Sequence, residues 1–369
     1  MPKASNALHT LALQKFKKNF WGVFSFWFIA LCALVAIFAY VLAPDSSRFA
    51  NQMQLSIHSK KPGFKVQMLS IPEIAPQPQA FLDRIFFGDK NAPTEIPIQS
   101  YHFEDGQLTI IPYAEEGLTL MAKVVPLERF SEPLTAELLQ DKYIVQRRFL
   151  LGTDKYGRDL LSRMFVGIRI SFSIGFVAVL ISLLLGITLG AIAGYFGGKV
   201  DTVIMWLINV TWSIPTLLLV IAITLALGKG FWQVFIAVGL TMWVEVARIV
   251  RGQVMSVKQM QYVTAAKALG YTHGRIIAKH IIPNSLAPVI VISAANFAAA
   301  ILIESGLSFL GIGAQPPMPS WGAMIKDHYS YIILGKAYLA VIPGLAIMSL
   351  VMAFMLIGNA LRDALDVKN

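Results

Sequence analysis

The chain has 369 residues, of which 56% are hydrophobic and only 14% charged, well below the roughly 25% charged of a soluble domain. Its formal net charge of +10 would suit nucleic acid, but the charge sits in short segments between long apolar runs, which makes a nucleic-acid partner a poor reading. The single cysteine, Cys32, lies inside an apolar run, so an intrachain disulfide is excluded and the composition argues against a cysteine metal site.

Residues 1–19 form a basic lead-in. Lys3, Lys15, Lys17 and Lys18 face no acid, and Leu8, Leu11, Leu13, Phe16 and Phe20 give the segment a greasy side suited to a membrane surface. The uncharged run Phe20–Pro44 follows. It is too long for a signal-peptide core and has no small-x-small exit before Pro44, so residues 20–44 read as a retained transmembrane anchor.

From Asp45 to Val145 the character changes. Stretches such as FKVQMLSI, EIPIQSYHF and QLTIIPY alternate apolar and polar residues between Pro, Gly, Asn and Asp, and Glu104-Asp105-Gly106-Gln107 reads as a hairpin turn. This predicts a β-rich insert over 45–145. His58 and His102 lack partners at ligand spacing, so a cap or docking surface is the better reading than a metal or catalytic site. The next stretch, Leu151–Asp159, has glycine and aspartate for turns and an aspartate cap for a helix that starts at Leu160.

Further uncharged runs are Ile170–Gly198, Thr202–Gly228, Gly230–Val244, Ile281–Ile303 and Ala337–Leu361. All but Gly230–Val244 exceed the roughly 18 residues of a spanning helix, and that one crosses only if it takes in Glu245 to Ala247. Lys229-Gly230 predicts a tight turn before it. Gly186, Gly190 and Gly194 make a small-xxx-small face for close helix packing. Pro215 predicts a kink in the third span, either packing tolerance or a bend in a path that opens and closes. Ala193–Val200 resembles a phosphate loop only faintly. Ala193 and Val200 stand where the loop needs glycine and a hydroxyl residue, so the stretch reads as a membrane-exit turn without nucleotide.

The loop 245–284 carries Arg248, Arg251, Lys258, Lys267, Arg275 and Lys279 against Glu245 alone, whereas Asp45–Arg169 holds 15 basic and 15 acidic residues. Six spans with both termini and this loop cytoplasmic, and 45–169 extracytoplasmic, satisfy the excess of lysine and arginine on the inner side. Within the loop, Met260–Asn284 predicts two short helices hinged at Gly270. The first has Tyr262, Ala266 and Leu269 on one stripe too short to fold alone. Such a hairpin suits either another protein's groove or the headgroup layer. Glu304 ends the fifth apolar run and is a functional candidate at membrane depth, although near the outer end of its helix, where water reaches. Ser308–Gly322 is apolar but broken by Pro and Gly, a re-entrant or interfacial loop.

Ala265-Ala266, three residues, Gly270, then Ile282-Pro283 resembles the coupling loop of ABC importer permeases, and the ending His280–Asn284 is most similar to the dipeptide, oligopeptide and nickel branch. Gly152-Thr153-Asp154 with Gly157-Arg158-Asp159, and Ser308–Gly322, resemble further segments of that branch. The sequence departs at Thr264, where the family usually has Glu, and at Ile282, where Leu is usual.

The resemblance implies an all-α polytopic membrane protein with six transmembrane helices in the type I ABC importer permease fold, carrying the β-rich insert. It covers about Leu151–Asp363 plus the first span, with 146–369 as the permease core. It further implies a "C"-type permease subunit with no catalytic residue, metal or cofactor of its own. Thr264, Ala265, Ala266, Gly270, Ile282 and Pro283 would couple to the motor, with Pro215 and Glu304 as kink or gate candidates. ATP and Mg would be bound by two ABC ATPase subunits. The other implied partners are a second permease, an extracytoplasmic substrate-binding protein and the lipid bilayer of the plasma (inner) membrane.

Two other classes compete. An intramembrane enzyme needs a nucleophile–base pair or an acid/histidine cluster, and the uncharged runs hold no His, Asp or Glu. A membrane-anchored scaffold or receptor, its outer β-rich segment binding a ligand, would act without any ATPase.

Overall fold

The computed structural model describes residues 3–104, 106–115, 120–130, 132–228 and 230–365, with side chains from residue 10 onward. Asp105 of the expected hairpin turn, Lys229 of the expected tight turn and the Leu8 side chain lie outside these.

The helices in chain order are α1 (Lys3–Lys18), α2 (Phe20–Ile37), α3 (Ala39–Leu42), α4 (Phe81–Phe87), α5 (Ala136–Leu138), α6 (Leu160–Phe196), α7 (Gly198–Trp212), α8 (Thr216–Leu227), α9 (Phe231–Val257), α10 (Gln261–Ala268), α11 (His273–Ile276), α12 (Leu286–Phe309), α13 (Trp321–His328) and α14 (Tyr338–Leu365). The strands are β1 (Phe64–Ile71), β2 (Thr94–Glu104), β3 (Gln107–Pro112), β4 (Lys123–Val125) and β5 (Ile144–Phe149). Two compact units result: Met1–Cys32 with Ser171–Gln315 and Leu345–Asn369, and Ala33–Ile170 with Pro316–Gly344.

Among the described residues, five helical segments are long and apolar enough to cross a membrane: α2, α6, α9, the run His273–Phe309 that ends in α12, and α14. The sixth expected span is α7 plus α8, bent by 92°. The sequence predicts a kink at Pro215, and the structure has a full break there. Ser213 ends α7, and Pro215 opens α8 as its N-cap with ψ 126°, its missing N–H falling where no intrahelical bond is made. At 15 and 12 residues the pieces are about 22 and 18 Å long, so neither crosses a core of about 30 Å alone.

Glycine fixes how α6 meets α9. A Cβ on Gly186 would lie 2.5 Å from Val246 Cβ, on Gly190 2.5 Å from the Ala247 carbonyl oxygen, and on Gly194 2.7 Å from the Arg251 carbonyl oxygen. The expected small-residue face is therefore spent inside the chain. Four-residue steps on α6 meet four-residue steps on α9, and the backbones close to distances that any side chain would prevent.

The second unit holds an antiparallel sheet of order β4-β3-β2-β1-β5. Alternation along β1 places Val66 and Met68 in one core with Ile57 and Phe149, and Leu69 and Ile71 in the other with Ile98, Leu108, Ile110 and Leu139. Glu104 pairs with Gln107, as the hairpin requires. The sheet runs past residue 145, because β5 pairs with β1 as far as Phe149 opposite Phe64. The expected boundary at 145 cuts through a strand. Glutamine and arginine at 146–148 mask its period.

Candidate functional site: the hairpin between the fourth and fifth passes

Helix α10 folds because one side of it is greasy and its end is capped. Val263 and Ala266 are buried in a cluster with Tyr195, Val250, Val254, Val257, Ile276 and Ile281. The expected stripe of Tyr262, Ala266 and Leu269 is divided: Ala266 is buried in the core, while Tyr262 is 44% and Leu269 72% exposed. The buried row, Val263 and Ala266, shares only Ala266 with the stripe, so two large apolar side chains are presented outward.

The helix stops at Gly270, whose φ of 76° a Cβ disfavours. The Gly270 N–H donates to the Lys267 carbonyl (3.0 Å) and the Tyr271 N–H to the Ala266 carbonyl (3.1 Å), the paired bonds of a Schellman cap. Nothing lies within 4 Å of where a Gly270 Cβ would be, so the backbone angle alone demands glycine here.

Beyond the hinge the chain differs from the expected pair of separate helices. Residues His273–Phe309 form one helical run, in which a π turn at Ile277–Ile281 and a 3-10 turn at Ile282–Ser285 absorb Pro283 and pass into α12. Looser and tighter turns in succession accommodate the proline ring without ending the helix. Ile282 packs against the same buried cluster as Ala266, while Thr264, Ala265 and Pro283 are exposed.

Polar contacts fasten this hairpin to the helix ends around it. Lys258 Nζ donates to the Tyr195 carbonyl, and Lys258 and Lys267 lie 5.6 and 5.5 Å over the Tyr195 ring. The Tyr195 hydroxyl is 2.8 Å from His273 Nδ1. Arg251 on α9 grips Asp201 on α7 through two bonds of 2.5 and 2.6 Å. Sequence reasoning missed Tyr195, Asp201, Arg251 and His273. The one available signal was that Asp201 is the sole acid between Asp159 and Glu245. Mechanically, a push on α10 reaches α6, α7, α9 and α12 together, because each contributes to one buried cluster or one ion pair.

The gate candidates lie outside that cluster. Pro215 sits at the α7–α8 break. Glu304 is fully buried, contrary to the expected access of water. Ser308 Oγ donates to Glu304 Oε1 (2.6 Å) and accepts from the Ala314 N–H (3.2 Å), which folds the turn after α12 back onto the helix.

The other unit holds a second polar cluster on Gly152–Arg163, stronger than the capped turn the sequence predicts. Asp159 Oδ2 does accept the Ser162 N–H at 2.9 Å as the cap of α6. Asp154, fully buried, accepts the N–H groups of Tyr156 (2.8 Å) and Arg158 (3.0 Å) and lies 2.7 Å from the Arg158 guanidinium and 3.6 Å from Arg163 Nε. Gly152 and Gly157 have φ of 80° and 75°, and a Cβ on either would strike the Lys60 or the Gln54 carbonyl oxygen. Lys155 Nζ meets Asp327 at 3.1 Å, and its N–H donates to His328 Nε2 at 3.3 Å. With His328 Nδ1 2.7 Å from the Met324 carbonyl, this fits the neutral Nδ1–H tautomer, and burial lowers the His328 pKa accordingly. Close by, burial lifts Glu95 to about 7, outweighing the Arg147 guanidinium at 2.5 Å.

Residues 186–368 match the family described as "Binding-protein-dependent transport system inner membrane component", and residues 9–62 match the "N-terminal TM domain of oligopeptide transport permease C". The dipeptide transport system permease protein DppC of Alkalihalophilus pseudofirmus is 43% identical over 59% of this chain and 71% of its own length. The protein of the same description from Lactococcus lactis is 31% identical over 96% of this chain and 89% of its own length, so that likeness includes the β-rich insert. Among solved structures, a chain of the inward-facing MetNI methionine ABC transporter is 18% identical over 55% of this chain and 96% of its own, with a TM-score of 0.44.

Proposed function

This chain belongs to the inner-membrane permeases of binding-protein-dependent ABC importers, in the oligopeptide permease C branch, and from that premise we propose how it couples a motor to transport of peptides. The loop 245–284 and both termini face the cytoplasm, and the sheet lies outside. Two ABC ATPase subunits bind and hydrolyse ATP with Mg, and this chain contributes no catalytic group. The ATPases grip α10 through Tyr262 and Leu269. A second permease completes the translocation path, and an external binding protein delivers the peptide.

One observation carries this reading: α10 turns Tyr262 and Leu269 outward while Val263 and Ala266 lock it into the core around α6 and α9. A helix free on one side and rigid on the other transmits displacement without dissipating it in its own bending. When the ATPases close on ATP, α10 moves and the α6–α9 pair moves with it, because the glycine seam leaves no slack. The access of the central path then alternates between the two sides of the membrane.

The test is cross-linking of Leu269→Cys, in a Cys32→Ala background, to single cysteines on the ATPase surface of the reconstituted importer. We expect a cross-link whose yield changes between the nucleotide-free and ATP-bound states. Labelling of Leu269→Cys by an impermeant reagent from the outside of whole cells would sink the proposal.

A further inference from the structure

Helix α4 reads Phe81-Leu82-Asp83-Arg84-Ile85-Phe86-Phe87, and only Ile85 is buried. Phe81 is 75%, Leu82 64% and Phe87 58% exposed, with Phe86 beside them. Four large apolar side chains on two turns, outside every crossing helix, are an expensive surface to show to water, and such patches mark contacts. The arm leading to α4, residues 72–80, holds Pro72, Pro76 and Pro78 and is mostly exposed, so it supplies no core to cover them.

The position of α4 within its unit identifies what covers the patch. It packs on α3, which directly prolongs the first crossing helix. Arg169, inside the crossing helix α6, donates from Nη1 to the Ile85 carbonyl at 3.2 Å. Its guanidinium lies 5.3 Å over the Phe86 ring and 5.6 Å over the Tyr40 ring. The helix on which α4 packs exposes apolar side chains too, Val41 and Leu42, next to exposed Phe38 at the end of the first crossing. Around the exposed apolar surface of α4 stand Arg169 and Arg84, the latter 3.2 Å from Asp89. Aromatic rings beside guanidinium groups at the end of a crossing helix match the acyl–headgroup boundary of a bilayer. Rings enter the hydrocarbon there and cations meet phosphate.

We propose that α4 is an interfacial anchor, its Phe81, Leu82, Phe86 and Phe87 inserted into the lipid leaflet on the side that carries the β-sheet. The insert is then held at the ends of the first and second crossings and at α4, which fixes the sheet against the membrane plane.

The experiment uses the full importer in vesicles of phosphatidylethanolamine and phosphatidylglycerol, with Cys32→Ala so that one nitroxide can be placed at a time. Labels go on Phe81→Cys, Leu82→Cys and Phe87→Cys, and on Met121→Cys beside β4 as the aqueous control, since Met121 is 92% exposed. Relaxation by oxygen, which concentrates in lipid, is compared with relaxation by a water-soluble nickel chelate. The expected result is an oxygen-to-chelate ratio several-fold higher at 81, 82 and 87 than at 121. Ratios equal to that at 121 place α4 in water and overturn the proposal. Exclusion of both relaxants means that a protein partner covers the patch, and overturns it equally. The substituted side chains are exposed, and any one of the three α4 sites suffices if another variant fails to accumulate.

Discussion

The Gly152–Arg163 stretch and the α10 hairpin are both short polar connections next to apolar helices, yet they are built to opposite ends. In the first, glycines with positive φ are hemmed in by carbonyl oxygens, and the charges are buried and paired around Asp154. In the second, Gly270 has the same backbone sign with open space around it, and Thr264 and Ala265 face outward. The crowded glycines make a clasp that joins the chain after the first crossing to the start of the second. The open one caps the helix that we propose as the lever. Positive φ alone does not distinguish the two; what a Cβ would strike does.

The comparison is broken most severely at Asp154. Asp154→Ala leaves the Arg158 and Arg163 guanidinium groups buried without their carboxylate, a change expected to cost about 3–5 kcal/mol. The readout is the amount of folded permease in the membrane and its melting temperature in detergent. Asp154→Asn keeps an acceptor for the Tyr156 and Arg158 N–H groups and should lose clearly less. Equal behaviour of the two variants would show that the paired charges are not what holds the clasp.

On the lever the order is reversed, with function lost before stability. Leu269→Asp alters an exposed side chain and should change stability by no more than about 0.5 kcal/mol. Uptake should nevertheless fall at least tenfold while ATP hydrolysis continues. Ala266→Asp buries a charge in the core of the hairpin and should lower the melting temperature outright. Normal uptake by Leu269→Asp would remove α10 from the coupling path.

A milder effect is expected from Glu95, next to the clasp. Its pKa is raised by burial to about 7 from 4.5, against the opposing attraction of Arg147 and with Asp45 and Asp159 adding repulsion. A carboxyl group raised on folding stabilises the fold while protonated. Its contribution is complete below the unfolded value near 4.5 and is lost as pH rises through about 7. The melting temperature of the insert should therefore fall between pH 5 and 8, by the equivalent of roughly 2–3 kcal/mol. Glu95→Gln should flatten that slope, and an unchanged slope would assign it to other groups.

Much of this was legible in the sequence, for reasons that particular residues make plain. Apolar runs longer than a bilayer core betray membrane helices whatever their packing, and the spacing of Gly186, Gly190 and Gly194 announced a close approach before its partner was known. Period-two alternation in FKVQMLSI and QLTIIPY gave the sheet. What the sequence hid was set by long-range geometry. A proline in an apolar run permits a kink or a right angle, and only packing decides which, so the 92° break at Pro215 was not readable. The stripe on α10 was drawn through Tyr262, Ala266 and Leu269 because their spacing puts them on one helix face. The core takes Val263 together with Ala266, and spacing alone does not say which neighbouring face the long-range cluster will bury. Asp201 and Arg251, 50 positions apart, carry no local sign of each other.

The smallest expected effect concerns the departure at Thr264. Its side chain is exposed on α10, one turn before Lys267, whose ammonium lies over the Tyr195 ring. Thr264→Glu places a carboxylate three positions before Lys267, an arrangement worth about 0.2–0.5 kcal/mol to a helix, and glutamate is also the better helix former. Against this, the new charge competes with the Tyr195 ring for the Lys267 ammonium, an exchange of one weak surface contact for another. The net change in melting temperature should be within about 2 °C, in either direction. Uptake should stay within twofold of the starting protein, because the groups that the lever presents, Tyr262 and Leu269, are untouched. A large loss of assembly with the ATPases on Thr264→Glu would mean that the partner's groove here is itself acidic or closely fitted to threonine. In that case the lever is gripped on its 264–267 face and not through its two exposed apolar side chains.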